Sequence, residues 1–268
     1  MIIYDTGASE MVHFVGAGSG AVDLITVRGM NLISKADIVI YAGSLVNKDM
    51  LQYMKEGAKS YDSAYLTLEE VIDLIKKAEA ENKNVVRLHT GDPSLYGAIR
   101  EQMDEMDELG ISYDVTPGVT AAFGAAASLG LEYTLPEITQ TLIITRVEGR
   151  TPVPQLEKVR ELAKHKTSMA IYLSTGLLKK LEEELKSAGL DEDTPAAIVY
   201  KATWPEEERY ICTVSTLEET AKKNNIKKTA IVLVGEAIRT VSKDSKAVRS
   251  KLYSPDFETE FRKINIEQ

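Results

Sequence analysis

Three short apolar runs, Val12–Val15, Val85–Leu88 and Ile111–Val115, each lead into a turn of glycine, proline and small residues. Helical patterns follow, so strands and helices alternate, which is the signature of a mostly parallel sheet with helices on its faces. Leu24–Lys35 has helical character and Ile38–Tyr41 is a β-branched run. Leu68, Val71, Ile72 and Ile75 recur at helical spacing, with Thr67 and Glu70 placed as a capping box. Ile99, Met103 and Met106 mark another amphipathic helix.

The pattern breaks around Leu131–Pro136, and a domain boundary is expected there. We read residues 11–131 as a first α/β domain, 137–240 as a second, and 241–268 as a charged tail, either a surface helix or partly disordered. In the second domain, Thr141–Thr145, Met169–Leu173, Ala196–Tyr200, Tyr210–Val214 and Ala230–Val234 are strand-like and predict a mixed sheet. Leu156, Val159 and Leu162 mark one helix; Leu177, Leu178, Leu181 and Leu185 mark another, with Ser174 or Thr175 as its expected cap. The fold class is thus α/β, two domains with a ligand cleft expected between them. Residues before Met11 read as a dispensable extension.

A net charge of −9 over 268 residues argues against a nucleic-acid partner. The single cysteine, Cys212, forms no internal disulfide, so an intracellular, cytoplasmic protein is expected. That cysteine and the scattered His13, His89 and His165 have no metal-ligand spacing, and no metal is expected. No stretch is long and apolar enough to span a membrane, and the start has no leader pattern.

Five segments carry candidate chemistry. Gly16-Ala17-Gly18-Ser19-Gly20-Ala21 fits the dinucleotide fingerprint, but the second strand ends Tyr41-Ala42-Gly43, without the ribose-binding acid. The segment is equally readable as a tight turn. His89-Thr90-Gly91-Asp92-Pro93-Ser94-Leu95-Tyr96-Gly97 lies at a strand's carboxyl end, where open α/β sheets bind ligands; Asp92 could equally cap the next helix. Thr116-Pro117-Gly118-Val119-Thr120-Ala121-Ala122 is a turn opening a helix of small residues, explicable by close packing alone. Arg146 and Arg150 on a Gly/Pro-rich loop could clamp carboxylates, or be solvated charge. Lys201-Ala202-Thr203-Trp204-Pro205 suits a flat acidic ligand, or places its Trp over the domain core. No nucleophile set or Walker loop is present, and the residues alone stop at a small-molecule α/β protein.

In their order and spacing, the glycine loop with Asp23–Gly29, the Gly91-Asp92-Pro93 loop and the Pro117–Ala121 turn resemble the tetrapyrrole methylase family, over roughly residues 11–238. Within it, Tyr41-Ala42-Gly43-Ser44-Leu45-Val46, Thr139–Pro154 and Lys201–Pro205 resemble the members that methylate C-11 of precorrin-4, metal-free or cobalt-bearing. The family loop usually reads G-x-G-P-G-D, where this chain has Ser19 and Ala21 in place of Pro and Asp. Sister uroporphyrinogen methylases usually carry an acid where this chain has Ala42, so that carboxylate's role does not transfer.

The resemblance implies a homodimer using S-adenosylmethionine, which leaves as S-adenosylhomocysteine, with a tetrapyrrole acceptor in cobalamin biosynthesis. It implies cofactor contacts at Ser19, Thr90, Gly91, Asp92, Leu95, Thr120, Ala121, Leu173, Ala202 and Ala230. Substrate contacts are expected at Tyr41, Ser44, Tyr96, Arg146, Arg150 and Lys201, with no residue assigned as catalytic base. The alternatives are a methylase of this fold acting on another precorrin carbon or on the diphthamide intermediate, a nicotinamide-dependent oxidoreductase, and a non-catalytic binding module.

Overall fold

The computed structural model describes residues 11–242, 250–254 and 257–263. They divide into two compact units, one reaching to Gly124 and including Ala202–Pro205, the other Ala125–Lys201 and the residues from Glu206 onward. The division falls inside a helix, beyond which the segment 131–136 belongs to the second unit.

In the first unit, β1 (Val12–Gly16), α1 (Val27–Lys35), β2 (Ile38–Tyr41), β3 (Lys59–Asp62), α2 (Leu68–Ala80), β4 (Val85–His89), α3 (Ile99–Leu109) and β5 (Tyr113–Thr116) precede α4 (Ala121–Leu129). The sheet order is β3-β2-β4-β1-β5, every pair parallel. Strand alternation sorts the apolar side chains onto two faces. Val12, Phe14, Ile38, Ile40 and Val85 pack with Val71, Ile72 and Ile75 of α2 and Met106 of α3. Val15, Val39, Val86 and Leu88 pack with Ile33 of α1 and Met50. The sheet is therefore covered on both sides, and its carboxyl edge is left to the loops.

The helix expected from Leu24 begins three residues later, because Thr26 caps it by accepting from the Gly29 N–H at 3.0 Å. The Thr67–Glu70 capping box is present. β3 was not anticipated. Lys59-Ser60-Tyr61-Asp62 has no apolar run, since it is a half-exposed edge strand.

In the second unit, β6 (Leu142–Arg146), α5 (Val159–Leu162), β7 (Ser168–Tyr172), α6 (Leu178–Ser187), β8 (Pro195–Tyr200), β9 (Glu208–Thr213), α7 (Leu217–Lys223) and β10 (Ala230–Val234) form a mixed sheet of order β6-β7-β10-β8-β9. Only β6 and β7 run parallel. Leu178, Leu181 and Leu185 of α6 are buried against Met169, Ile171, Ile198 and Val232, as their spacing required. Neither Ser174 nor Thr175 caps α6. A 3-10 turn at Thr175–Leu177 intervenes, Ser174 Oγ accepts from Val147 N–H, and Thr175 Oγ1 donates to Ala230 O. The described part of the tail holds a 3-10 turn, Lys251–Tyr253; residues 243–249, 255–256 and 264–268 and those before Met11 lie outside the described residues.

Candidate active site

Three loops leave the carboxyl edge of the first sheet side by side, after β1, β4 and β5. Their glycines pack backbone to backbone. A Cβ on Gly16 would stand 2.6 Å from Gly91 O and 2.7 Å from Gly118 Cα. One on Gly118 would stand 2.1 Å from Gly91 O. Gly18 and Gly91 bridge: Gly18 N–H donates to Gly91 O at 3.2 Å, and Gly91 N–H to Gly18 O at 2.9 Å. Both have positive φ, 80° and 60°, which glycine adopts without strain. The result is a cradle of main chain with few side chains over it.

Asp92 ties two of these loops together. Its Oδ2 accepts from Gly118 N–H at 2.9 Å, and its Oδ1 accepts from Ser94 N–H at 2.9 Å and from Ser94 Oγ. Burial pushes the carboxyl up, but these hydrogen bonds outweigh it and hold Asp92 below the usual aspartate range. Asp92 does not cap α3, which starts at Ile99 behind an N-terminal Ala98 of left-handed conformation.

The glycine loop is packed from outside by Thr203 and Trp204. Ser19 Oγ lies 3.0 Å from Thr203 Oγ1, which also accepts from Ala21 N–H at 3.1 Å. The Trp204 indole donates to Ser19 O at 3.1 Å and occupies the space a Gly20 side chain would need. The Trp thus closes on the glycine loop. The sequence suggested either a ligand contact or a core cover, and no local signal distinguished a third use.

Of the expected cofactor residues, Ser19, Thr90, Gly91, Asp92, Leu95, Thr120, Ala121 and Ala202 belong to the first unit. Thr120 Cα is 3.4 Å from a Cβ built on Gly91, so the β4 loop and the start of α4 meet. Tyr41 ends β2 and is buried, whereas Tyr96 is exposed, with a positive φ of 56°. Ser44 lies in the 3-10 turn Gly43–Leu45. Leu173 and Ala230 belong to the second unit, at one edge of its sheet, bridged by the Thr175–Ala230 bond. Leu173 has φ 53° and is 65% exposed.

Arg146 and Lys201 stand at that same edge, ending β6 and following β8. Arg146 donates to Thr151 O at 3.3 Å and Pro152 O at 2.8 Å, closing its own loop. Lys201 pairs with Glu206 at 3.3 Å. Arg150 is exposed on the loop that Arg146 closes.

Beneath the first unit's loops sit Arg87, which the sequence reading did not single out, and His89, which it placed at the head of the Gly91-Asp92-Pro93 loop. Arg87 is buried on β4; burial lowers it to about 10. His89 is 3% exposed; burial, then the nearby Arg87 charge, hold it near 3, so it is neutral. The signal of Arg87 in sequence was weak, since it falls within the apolar run Val85–Leu88.

Among the described residues no helix is long and apolar enough to cross a membrane, and no group of three or more His, Cys, Asp or Glu is placed to hold a metal. Two depressions of about 590 and 780 Å³ lie in the second unit, beside α6 and α7 and beside β9; no residue of the three glycine loops lines them.

Residues 11–218 match the family of tetrapyrrole (corrin/porphyrin) methylases. The cobalt-precorrin-4 C(11)-methyltransferase of Methanocaldococcus jannaschii is 50% identical over 255 residues, 95% of this chain and 97% of that protein. The protein of the same name from Priestia megaterium is 47% identical, over 94% of this chain and 97% of its own length. Among solved structures, a cobalt precorrin-4 methyltransferase described as a cobalamin biosynthetic enzyme superposes with a TM-score of 0.83 at 47% identity, covering 85% of this chain and 95% of that one. The Thermus thermophilus uroporphyrin-III C-methyltransferase complexed with S-adenosylhomocysteine superposes at 0.73 with 26% identity, covering 86% and 99%. By sequence match and by fold, this chain belongs to the tetrapyrrole methylase family.

Proposed function

We propose that this protein transfers a methyl group from S-adenosylmethionine to C-11 of cobalt-precorrin-4, giving cobalt-precorrin-5 in cobalamin biosynthesis. The observation that carries the reading is 50% identity across 95% of the chain to a cobalt-precorrin-4 C(11)-methyltransferase. The cobalt-bearing acceptor is favoured because the relatives named for it are 50% and 47% identical, against 43% for the precorrin-4 enzyme of Pseudomonas aeruginosa. The family also removes the nicotinamide reading.

The main-chain cradle of Gly16, Gly91 and Gly118 fits a cofactor that must approach backbone closely. When bound, the donor supplies a methyl group on a positively charged sulfur, already a good leaving group. The chain's task is then to bind, orient and exclude water. Holding the reactants in line supplies on the order of 7–11 kcal/mol. We assign cofactor contacts to Ser19, Thr90, Gly91, Asp92, Leu95, Thr120, Ala121, Leu173, Ala202 and Ala230. Substrate contacts go to Tyr41, Ser44, Tyr96, Arg146, Arg150 and Lys201. The Asp92 bonds to Ser94 and Gly118 keep its loop in register with the β5 loop. The family resemblance supports a cytoplasmic homodimer.

The test is titration with S-adenosylhomocysteine in a calorimeter, followed by incubation with cobalt-precorrin-4 and methyl-labelled S-adenosylmethionine. Binding at one site per chain and label at C-11 are expected. Label on another ring carbon would reassign the acceptor, and absence of binding would overturn the cofactor.

A further inference from the structure

The turn Ser19-Gly20-Ala21 follows Gly18, whose two bonds to Gly91 tie it to the cradle. Its three residues are small, and none stiffens the backbone from within. Each is instead held from outside by a side chain. Thr203 Oγ1 lies 3.0 Å from Ser19 Oγ and accepts from Ala21 N–H at 3.1 Å, so one hydroxyl spans the turn. The Trp204 indole donates to Ser19 O at 3.1 Å, and Asn47 Nδ2 donates to Gly20 O at 3.0 Å.

Thr203 holds that place under strain. Its φ is 68°, in the left-handed region, which a β-branched residue adopts only at a cost. Such strain persists where the surroundings over-determine it, and it gathers at functional sites. α4 is bare where the pair packs: a Cβ on Gly124 would stand 2.5 Å from Ser19 Oγ and 3.2 Å from Thr203 Cγ2. In sequence Ala202–Pro205 lies between β8 and β9, yet these residues belong to the first unit. The strained residue and the bare helix position thus serve one contact, that of Thr203 with Ser19.

We propose that Thr203 is a positioning residue for S-adenosylmethionine, supported by Trp204. It acts through Ser19 and Ala21, fixing the glycine turn against which the cofactor seats. The identity of the cofactor rests on the proposed methylase function; the fixing of the turn does not.

Four variants separate positioning from stability alone. Thr203→Val keeps the shape and the strain but loses the hydroxyl, and Thr203→Ser keeps the hydroxyl. Thr203→Gly loses the hydroxyl and relieves the strain. Thr67→Ala removes the α2 capping box, which has no part in the turn. In calorimetry the Kd for S-adenosylhomocysteine is expected to rise about tenfold or more in Thr203→Val and Thr203→Gly, to stay within about threefold in Thr203→Ser, and to be unchanged in Thr67→Ala. In urea, Thr203→Gly is expected to be more stable than Thr203→Val, and Thr67→Ala less stable than wild type. Affinity then departs from stability. Affinity that follows stability across the series, or wild-type affinity in Thr203→Val, overturns the proposal. Without ligand, the Ala21 amide is expected to exchange its hydrogen about tenfold faster or more in Thr203→Val, read by NMR. An unchanged rate overturns the fixing of the turn. Should the wild type not bind S-adenosylhomocysteine, the functional reading fails alone, and the exchange at Ala21 still decides the turn.

Discussion

The Trp204 indole donates to Ser19 O at 3.1 Å, and its ring fills the place where a Gly20 side chain would stand, 2.0 Å from Cδ1. Gly20 is therefore a packing glycine. In Gly20→Ala the rigid ring has to move, and overpacking of this kind costs about 1–3 kcal/mol. Urea denaturation should place the variant below wild type, with a changed Trp204 emission. In the double variant with Trp204→Ala the Gly20→Ala cost should largely vanish; additive losses would mean that the ring is not the obstacle.

The cradle predicts a harsher outcome one loop away. A Cβ on Gly118 meets main chain on both sides, Gly91 O at 2.1 Å and Gly16 Cα at 2.8 Å, and no side chain can swing aside. Gly118→Ala should cost about 3 kcal/mol or more and weaken S-adenosylhomocysteine binding. By contrast, a Cβ on Gly176 meets nothing within 4 Å, so Gly176→Ala should leave both quantities near wild type.

Much of this was legible in the sequence, and what was missed has a physical pattern. The β1, β2 and β4 runs and the α2 capping box were readable because local preference and burial agree there. β3 escaped because an edge strand needs no apolar run, and α7 because Leu217 and Ala221 give a seven-residue helix too little periodicity. The glycine loops were readable as turns, but not as one cradle, since Gly16, Gly91 and Gly118 meet only through sheet pairing. The two-arginine loop was readable as charge; that Arg146 binds Thr151 O and Pro152 O while Arg150 is exposed depends on the loop's path.

That division of labour separates the two arginines. Arg150→Ala removes an exposed charge and should raise the substrate KM with Tm unchanged. Arg146→Ala also releases two carbonyls that close the loop, so Tm should fall with the rise in KM, by about 1–3 kcal/mol in stability. Arg146→Lys keeps charge but not the two-point donor and should restore less of the KM than of the charge. Equal Tm and KM in all three variants and wild type would remove the loop from substrate binding.

His89 carries a prediction for acid stability. In the unfolded chain it titrates near 6.5, whereas in the fold burial and the Arg87 charge depress it to about 3. Between those values the unfolded chain takes up a proton that the folded one refuses. Its contribution is therefore fully present above pH 6.5 and is lost as pH falls toward 3, at up to about 1.4 kcal/mol per pH unit. Asp92, held below the usual aspartate range, acts in the same direction but only where unfolded carboxyls protonate, near pH 4 and below. The window from pH 6.5 to about 4.5 thus isolates the histidine. Unfolding free energies of wild type and His89→Phe, measured in urea across that window, should converge or cross as pH falls, because only the wild type has this proton to gain. Parallel curves would mean that His89 titrates alike in the folded and unfolded chains, so that burial does not hold it neutral.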